Sequence, residues 1–493
     1  MLNALGSKQN TTVWVQVLPK NIPLKISTAS ILLNLLFVGS TWAANLGELP
    51  SQTELQSSTG NAIADVCAGF SGGQNVSNAL QQELFETCRA MVQSGNEVAG
   101  SGPTDFSLGL NEAELNGAIQ NIATEEIALP ATVTAKTSNS QIVGVMARIS
   151  ALQSGTTGFG LALQDTNRNS DWSSFHGEEA SSAKLVGAAS ADSVDSVWGK
   201  WGGFANLSGS TGDKDATVRE DGFDFNTFAI TAGLDYRLTP QIVVGAALGY
   251  NRLNSDFHES VNVSGGGIDG DTYSISLYGL YNLDALYFNG LIGYARNDYD
   301  IERSALVRSE NPSIETINVT ASADTNADVF LLSVGGGYEL GKNAWQYGPV
   351  LSLNYIYSDT DGYEESGAGG LDLAVDSYFV KSLTTSFGGR ISYTSSQSYG
   401  VLIPYITAVW RHEFEDDPTS INSRYVNEFI PAGGSPTILS VVTDGADEDY
   451  GIVGIGVSAV FQNGIQAVFS YQRWIELSDI NQNIFSLGIR MEF

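Results

Sequence analysis

Positive charge, histidine and cysteine are all scarce in this chain of 493 residues. It carries 23 Lys plus Arg against 54 Asp plus Glu, a net charge of −31, with 3 His and 2 Cys. So few cations argue against nucleic acid as a partner, because phosphate binding draws on Lys and Arg. Two Cys and three His cannot build a multi-cysteine zinc module or a disulfide-dense scaffold. Charged residues are only 16% of the chain, below the ~25% of ordinary soluble domains. The chain also lacks an apolar run long enough for a membrane helix. What it does have is 42% hydrophobic residues, 10% aromatics and 54 Gly. That is too apolar for a disordered acidic chain.

The first 43 residues contain Lys8, Lys20 and Lys25 and no acid. An apolar run from Ile31 to Val38 precedes Gly39, Ser40, Thr41, Trp42 and Ala43. Basic, apolar, then small is the order of a secretory signal peptide, with cleavage expected after Ala43. Export suits the two cysteines. Cys67 and Cys88 flank a Gly/Ser/Asn turn between two apolar stripes of helical period, which predicts a helical hairpin stapled by one disulfide. Asn111 and Glu114 form a capping signal before Leu115, Ile119 and Ile122, and Pro130 is expected to end that run. A further stripe joins Ile142, Val145, Met146, Ile149 and Leu152. Residues 44–155 thus read as a small helical region, and the Gly/Ser/Asn/Asp-rich 156–195 as a linker.

From residue 196 the period becomes two. Phe485, Leu487, Ile489, Met491 and Phe493 alternate with Ser486, Gly488, Arg490 and Glu492, and similar runs recur upstream. The runs last ten to sixteen residues, whereas ordinary strands have ~5–6 and tilted membrane strands about 9–11. About twelve strands are expected. Their starts fall near Val197, Phe223, Gln241, Thr272, Ala285, Ala327, Trp345, Tyr378, Gly400, Asp449, Ile465 and Asn483. Short turns alternate with long acidic or Gly-rich loops at 210–221, 258–270, 303–324, 359–375 and 415–448, the pattern of an outer-membrane barrel. An even strand number puts both barrel ends on the short-turn rim. Aromatics near segment ends, including Trp198, Trp201, Tyr250, Tyr281, Tyr294, Tyr393, Trp410, Tyr471 and Trp474, suit interfacial girdles. The fold class is therefore an all-β membrane barrel of about 12 antiparallel strands with a small N-terminal α-helical region. Arg237, Arg390, Arg411 and Arg473 are expected to line its lumen, since the lipid face disfavours charge.

The run Trp198-Gly199-Lys200-Trp201-Gly202-Gly203-Phe204, followed by Gly233-Leu234-Asp235-Tyr236-Arg237 and Gly245-Ala246-Ala247-Leu248-Gly249-Tyr250, resembles the start of an autotransporter β-domain. The resemblance covers 196–493. It implies a type V secretion translocator of twelve strands in the Gram-negative outer membrane, with outer-membrane lipid and lipopolysaccharide around it. It also implies reliance on the Sec export machinery and on a barrel-assembly machinery. The latter would read the terminal strand at Phe485, Leu487, Ile489, Met491 and Phe493. A segment threaded through the lumen is implied too, with 141–153 and 180–195 as candidates. The short 44–195 region departs from the long β-helix or enzyme passengers of familiar members, and lacks the Asn-Asn pair some use for self-cleavage. It is therefore expected to stay attached. The alternative reading is an adhesin-like structural barrel with acidic surface loops and a retained periplasmic helical domain.

Three motifs invite enzymatic or metal readings. Gly69-Phe70-Ser71-Gly72-Gly73 matches a nucleophile elbow, but a helix precedes it and the nearest His is His176. Gly265 to Gly270 matches a dinucleotide fingerprint in an expected loop with no βαβ unit around it. Glu413, Glu415, Asp416 and Asp417, with Asp444, Asp447, Glu448 and Asp449, offer oxygen ligands for Ca²⁺ but read as a solvated acidic loop. No catalytic, cofactor-binding or metal residue is assigned, no cofactor is expected, and the chain reads as a non-enzyme.

Overall fold

A computed structural model describes residues 46–123, 125–132, 144–149, 152, 200–258, 265–461 and 465–492. The expected signal peptide, the linker 156–195 and Phe493 lie outside the described residues, as do Trp198 and His176.

Twelve long strands form the barrel. They are β1 (Trp201–Lys214), β2 (Phe223–Arg237), β3 (Ile242–Phe257), β4 (Gly266–Leu283), β5 (Leu286–Val307), β6 (Ile317–Tyr338), β7 (Trp345–Thr360), β8 (Tyr378–Tyr393), β9 (Gly400–Glu413), β10 (Asp449–Phe461), β11 (Gln466–Ile475) and β12 (Ile480–Glu492). Each pairs antiparallel with its sequence neighbours, and β12 closes on β1 from Gly202↔Glu492 to Lys214↔Ile480. Closure removes the sheet edges, so every strand's backbone finds partners without water, which a bilayer demands. The strand starts differ from expectation mainly at β4 and β6. These begin at Gly266 and Ile317, so much of the two expected loops 258–270 and 303–324 is strand. The 22-residue β5 and β6 pair along their full length. At the short-turn rim Asp284 and Asn343 hold φ of 52° and 56°, conformations that Asp and Asn tolerate better than most residues.

Alternation sorts the faces. Along β2, Phe223, Phe225, Thr227, Ala229 and Thr231 are buried, while Asp224, Phe228, Ile230 and Leu234 are exposed. The outward apolar set, such as Leu248, Leu277, Leu351, Ile406 and Ile455, is the lipid-facing belt. Tilted aromatic pairs flank it, Trp201 with Tyr236 at 5.0 Å and Trp345 with Tyr393 at 4.9 Å near the short-turn rim, Tyr250 with Tyr273 at 5.5 Å higher up. Trp474 is not part of a girdle. It turns inward, 6% exposed, and stacks on Tyr450 at 5.2 Å.

The N-terminal region holds α1 (Glu54–Gly69), α2 (Ala79–Asn96) and α3 (Glu112–Gln120). Thr53 with Gln56 and Asn111 with Glu114 form capping boxes that satisfy helix-start N–H groups. A disulfide joins Cys67 in α1 to Cys88 in α2, with Cα atoms 5.5 Å apart. Pro130 does not end α3, which stops at Gln120; it sits inside a short helical turn at 129–132. Four short strands, Tyr363–Glu364, Leu373–Val375, Ser420–Tyr425 and Leu439–Val442, form a separate sheet within the long loops.

Candidate functional site

The helices and the long-loop rim share one hydrophobic core. Phe70, Leu84, Met91 and Ile122 pack in the same cluster as Phe257, Tyr299, Leu371, Tyr425 and Val441. Polar contacts fix the docking. Backbone N–H groups of Glu310 and Asn311 donate to the Leu108 carbonyl at 2.8 and 3.0 Å, and the Gly370 N–H donates to Glu83 Oε2 at 3.1 Å. A Cβ on Gly370 would lie 2.5 Å from the Leu84 nitrogen, so only glycine lets the loop reach α2. Thr132 donates to Glu220 at 3.2 Å, and Glu220 joins Asp444 around the buried Lys214 ammonium at 3.3 and 2.8 Å. The described residues of 46–132 therefore form a cap on the long-loop rim.

The chain reappears inside the barrel. Residues 144–149 are helical, and Val145, Ile149 and Leu152 are buried against inward side chains of the wall, among them Phe204, Val243, Tyr278, Leu291 and Leu331. Of the two expected lumen segments, the one at 141–153 has its described part in the lumen, and 180–195 lies outside the described residues. Arg148 is the polar anchor. Its Nε donates to Asp235 Oδ2 at 2.6 Å, its Nη2 also contacts that oxygen, and the Tyr278 hydroxyl donates to the same atom at 3.1 Å. Both charged side chains are nearly fully buried, at 1% and 5% exposure. Two glycines make the fit possible. A Cβ on Gly202 would stand 2.7 Å from Arg148 Nη2 and from Asp235 Oδ1, and one on Gly144 would stand 2.6 Å from Thr231 Oγ1.

Two buried ionic groups join the cap to the rim. Arg303 donates to both oxygens of Glu365, at 2.8 and 2.6 Å, and to the Leu371 carbonyl at 2.9 Å. Glu126 of the cap, 4% exposed, faces the same guanidinium, and its Oε2 has no hydrogen-bond partner. Burial pushes its pKa from the usual 4.5 up to about 8, against the opposing pull of Arg303. Burial also raises Glu220 in its loop, where Lys214 pulls the other way.

Of the four arginines expected in the lumen, Arg237, Arg390 and Arg411 face it, Arg390 lying 4.2 Å over the Tyr405 ring. Arg473 does not. It stands on the exposed outer face of β11 opposite Val453, because its parity in the strand is outward. Phe485, Leu487, Ile489 and Met491 all lie on the outer face of β12, between 40% and 53% exposed. Ser71 sits in a 3₁₀ turn between α1 and α2 with φ 49°, not on a strand-to-helix elbow. Gly266 to Gly270 belong to β4, which corrects their expected loop position. The acidic groups at 413–417 and 444–449 do meet, but Glu413, Asp444 and Asp447 are bound to Leu383 and Ser382, Lys214, and Ser478 respectively. Among the described residues, His412, Glu448 and Asp449 alone bring three metal-type ligand atoms within 4.8 Å of one another, on the exposed face. The pair Arg148 and Asp235 was not singled out by sequence reasoning. The available signal was one arginine beside an apolar helical stripe and one aspartate of inward parity.

A closed twelve-stranded barrel with a lipid-facing apolar belt, entered by its own N-terminal chain, is an outer-membrane translocator barrel. The family model "Autotransporter beta-domain" matches residues 203–472, more than half of the chain. The chain belongs to that family, and its place is the Gram-negative outer membrane. It is 23% identical over 281 residues to Esterase EstA of Pseudomonas aeruginosa, covering 55% of this chain and 39% of that protein. It is 24% identical over 208 residues to Outer membrane protein A of Rickettsia rickettsii, covering 41% of this chain and 9% of that protein. The chain thus spans about two fifths of the length of the esterase. Among solved structures, the translocator domain of autotransporter NalP from Neisseria meningitidis aligns with TM-score 0.45 and 16% identity, covering 60% of this chain and 88% of that one. The β-domain of the Bordetella autotransporter Brka aligns with TM-score 0.41 and 18% identity, covering 60% and 100%.

Proposed function

We propose that this autotransporter sends its own residues 44–132 through the barrel and keeps them as a permanent cap on the cell surface. The observation that carries the reading is the path of the chain. Its cap packs on the long-loop rim, a later segment lies in the lumen anchored by Arg148 and Asp235, and β1 starts at the short-turn rim. Long loops face outward in outer-membrane barrels. In this reading the signal peptide is removed after Ala43 by the Sec route, and the barrel-assembly machinery reads the terminal strand through Phe485, Leu487, Ile489, Met491 and Phe493. Lipopolysaccharide surrounds the outer rim. The exported region carries no enzyme activity: the esterase activity of the relative belongs to a protein of which this chain spans 39%, and Ser71 has no elbow geometry. The adhesin-like alternative with a periplasmic helical domain is disfavoured by the same docking, which lies at the opposite rim from the chain's start in β1.

The test is surface protease on intact cells. Cleavage in residues 97–105, the exposed stretch after α2, is expected, with the fragments retained on the cell. If that stretch resists protease on intact cells and becomes sensitive only after the outer membrane is opened, the periplasmic alternative is correct.

A further inference from the structure

The outer face of β9 and β10 ends in a side-chain cluster that the translocator role does not use. His412 on β9 and Asp449 on β10 are cross-strand partners and close the ladder between these strands. Beyond them runs the long loop 414–448, and the Glu413 N–H donates to the Glu448 carbonyl at 2.8 Å across its neck. His412 Nδ1 lies 2.9 Å from Asp449 Oδ1. A carboxylate oxygen of Glu448 completes the group, and the three ligand atoms lie within 4.8 Å of one another.

This group differs from a solvated acidic loop. The imidazole stacks on Trp410 at 5.7 Å and stands at 86° to the Phe414 ring, 4.6 Å away. The two rings restrict its rotation and keep Nδ1 turned to the carboxylates. Among the described residues, no Lys or Arg pairs with Glu448 or Asp449. The other described His–Asp pair is a contrast: His258 Nε2 lies 3.2 Å from Asp224 Oδ1, and no third ligand joins them.

The spacing suits a small ion. Bonds of about 2.0–2.2 Å to nitrogen and carboxylate oxygen place neighbouring ligand atoms ~3.3 Å apart around a tetrahedral ion. The Nδ1 and Oδ1 pair is close to that already, and the exposed Glu448 side chain is free to swing the remaining distance. An imidazole with its proton on Nε2 offers the Nδ1 lone pair. One nitrogen with two carboxylates suits Zn²⁺ and its first-row neighbours; Ca²⁺ takes oxygen ligands, about six to eight of them. Two carboxylates also balance the charge of a divalent ion, and water fills the remaining position.

We propose that His412, Glu448 and Asp449 bind a divalent transition-metal ion of the Zn²⁺ class, which clips the neck of the loop 414–448. That loop carries Ser420–Tyr425 and Leu439–Val442, and its Tyr425, Leu439 and Val441 pack in the core shared with the cap. An ion at the neck therefore stiffens the floor on which the cap rests. The site does not depend on the route by which the cap reaches the rim.

The test uses the full-length protein in detergent, stripped with a chelator and titrated calorimetrically with Zn²⁺ alone and with Ca²⁺ alone. Zn²⁺ is expected to bind at least about a hundredfold more tightly than Ca²⁺, because the imidazole favours the softer ion. His412→Gln should weaken Zn²⁺ by about a hundredfold or more, since even outer-shell changes cost ~10–100-fold. Asp449→Asn and Glu448→Gln should weaken it too, and His258→Gln should leave it unchanged. Amide hydrogen exchange at 439–442 should slow when Zn²⁺ is added to the parent and not when it is added to His412→Gln. Heat-modifiable gel mobility checks that each variant keeps its barrel; if His412→Gln does not assemble, Glu448→Gln, outside the strands, gives the same reading. Equal Zn²⁺ binding by the parent and the ligand variants, or Ca²⁺ bound as tightly as Zn²⁺, overturns the site and leaves a solvated acidic loop. Zn²⁺ binding that does not slow exchange at 439–442 supports the site and overturns the clip.

Discussion

Replacing Glu126 with glutamine should tighten the cap on the barrel and remove most of its pH dependence. The carboxyl is 4% exposed, has one oxygen without a hydrogen bond, and titrates near 8 instead of 4.5 because of burial. The groups facing it are Arg303, which favours its charged form, and Asp221 and Glu365, which oppose it. Arg303 is already committed to Glu365 and the Leu371 carbonyl, so it cannot offset the desolvation fully. Because the folded pKa lies above the unfolded one, the docked cap binds the proton more tightly than the open form. Its contribution is therefore complete below pH 4.5 and is lost as pH rises through 8. The loss is about 3 kcal/mol at pH 7 and approaches ~5 kcal/mol above pH 9, from 1.36 kcal/mol per pH unit over that window. Glu126→Gln keeps the shape and has no proton to lose. Amide hydrogen exchange of α1 to α3 in detergent, measured from pH 5 to 9 and corrected for the intrinsic rate, reports the opening free energy of the cap. The parent should open more readily as pH rises, and the variant should show only the shallower dependence left by the other buried carboxyls. Glu220, Glu428 and Asp372, also raised by burial, remain in both proteins and give a common background slope. Identical slopes in the two proteins, or a parent cap that tightens with rising pH, would refute the reasoning.

Three further perturbations probe other parts of the molecule. Asp235→Asn leaves Arg148 buried without its carboxylate and should loosen the lumen helix by about 3–5 kcal/mol; unchanged hydrogen exchange at 144–149 would count against the anchor. Replacing Cys67 and Cys88 with serine should lower cap stability by about 3 kcal/mol, given the separation of 21 residues, while heat-modifiable mobility of the barrel stays the same. Deleting Phe493 should reduce the yield of assembled barrel in cells, and full yield from the deletion would argue against terminal-strand recognition.

The barrel was legible because its physics is local. Period-two alternation needs only neighbouring residues, and eight of the twelve expected starts fall within one residue of the observed ones, from Phe223 to Ile465. The misses have a common cause. Beyond the membrane belt, β4, β5 and β6 continue as water-exposed ribbons in which Asp, Asn and Gly replace the apolar alternation, so 258–270 and 303–324 look like loops. Arg473 and Trp474 were misplaced for another reason. They are neighbours of opposite parity at a strand end, and only the register with β10 says which one faces inward.

Sequence alone determined the strand number, the outer-membrane class and the helical hairpin, because each follows from the order of residue types along a short stretch. It could not place the N-terminal region. An amphipathic helix packs equally well against a partner helix, a loop rim or a barrel wall, and its stripe does not say which. Tertiary structure decided that residues 46–132 sit on the long-loop rim and that 144–149 lie in the lumen, through contacts between residues separated by hundreds of positions, such as Phe70 with Tyr425 and Val441 in one core. Closure of the barrel fixes which parity points inward, and only then does Asp235 meet Arg148 in the lumen.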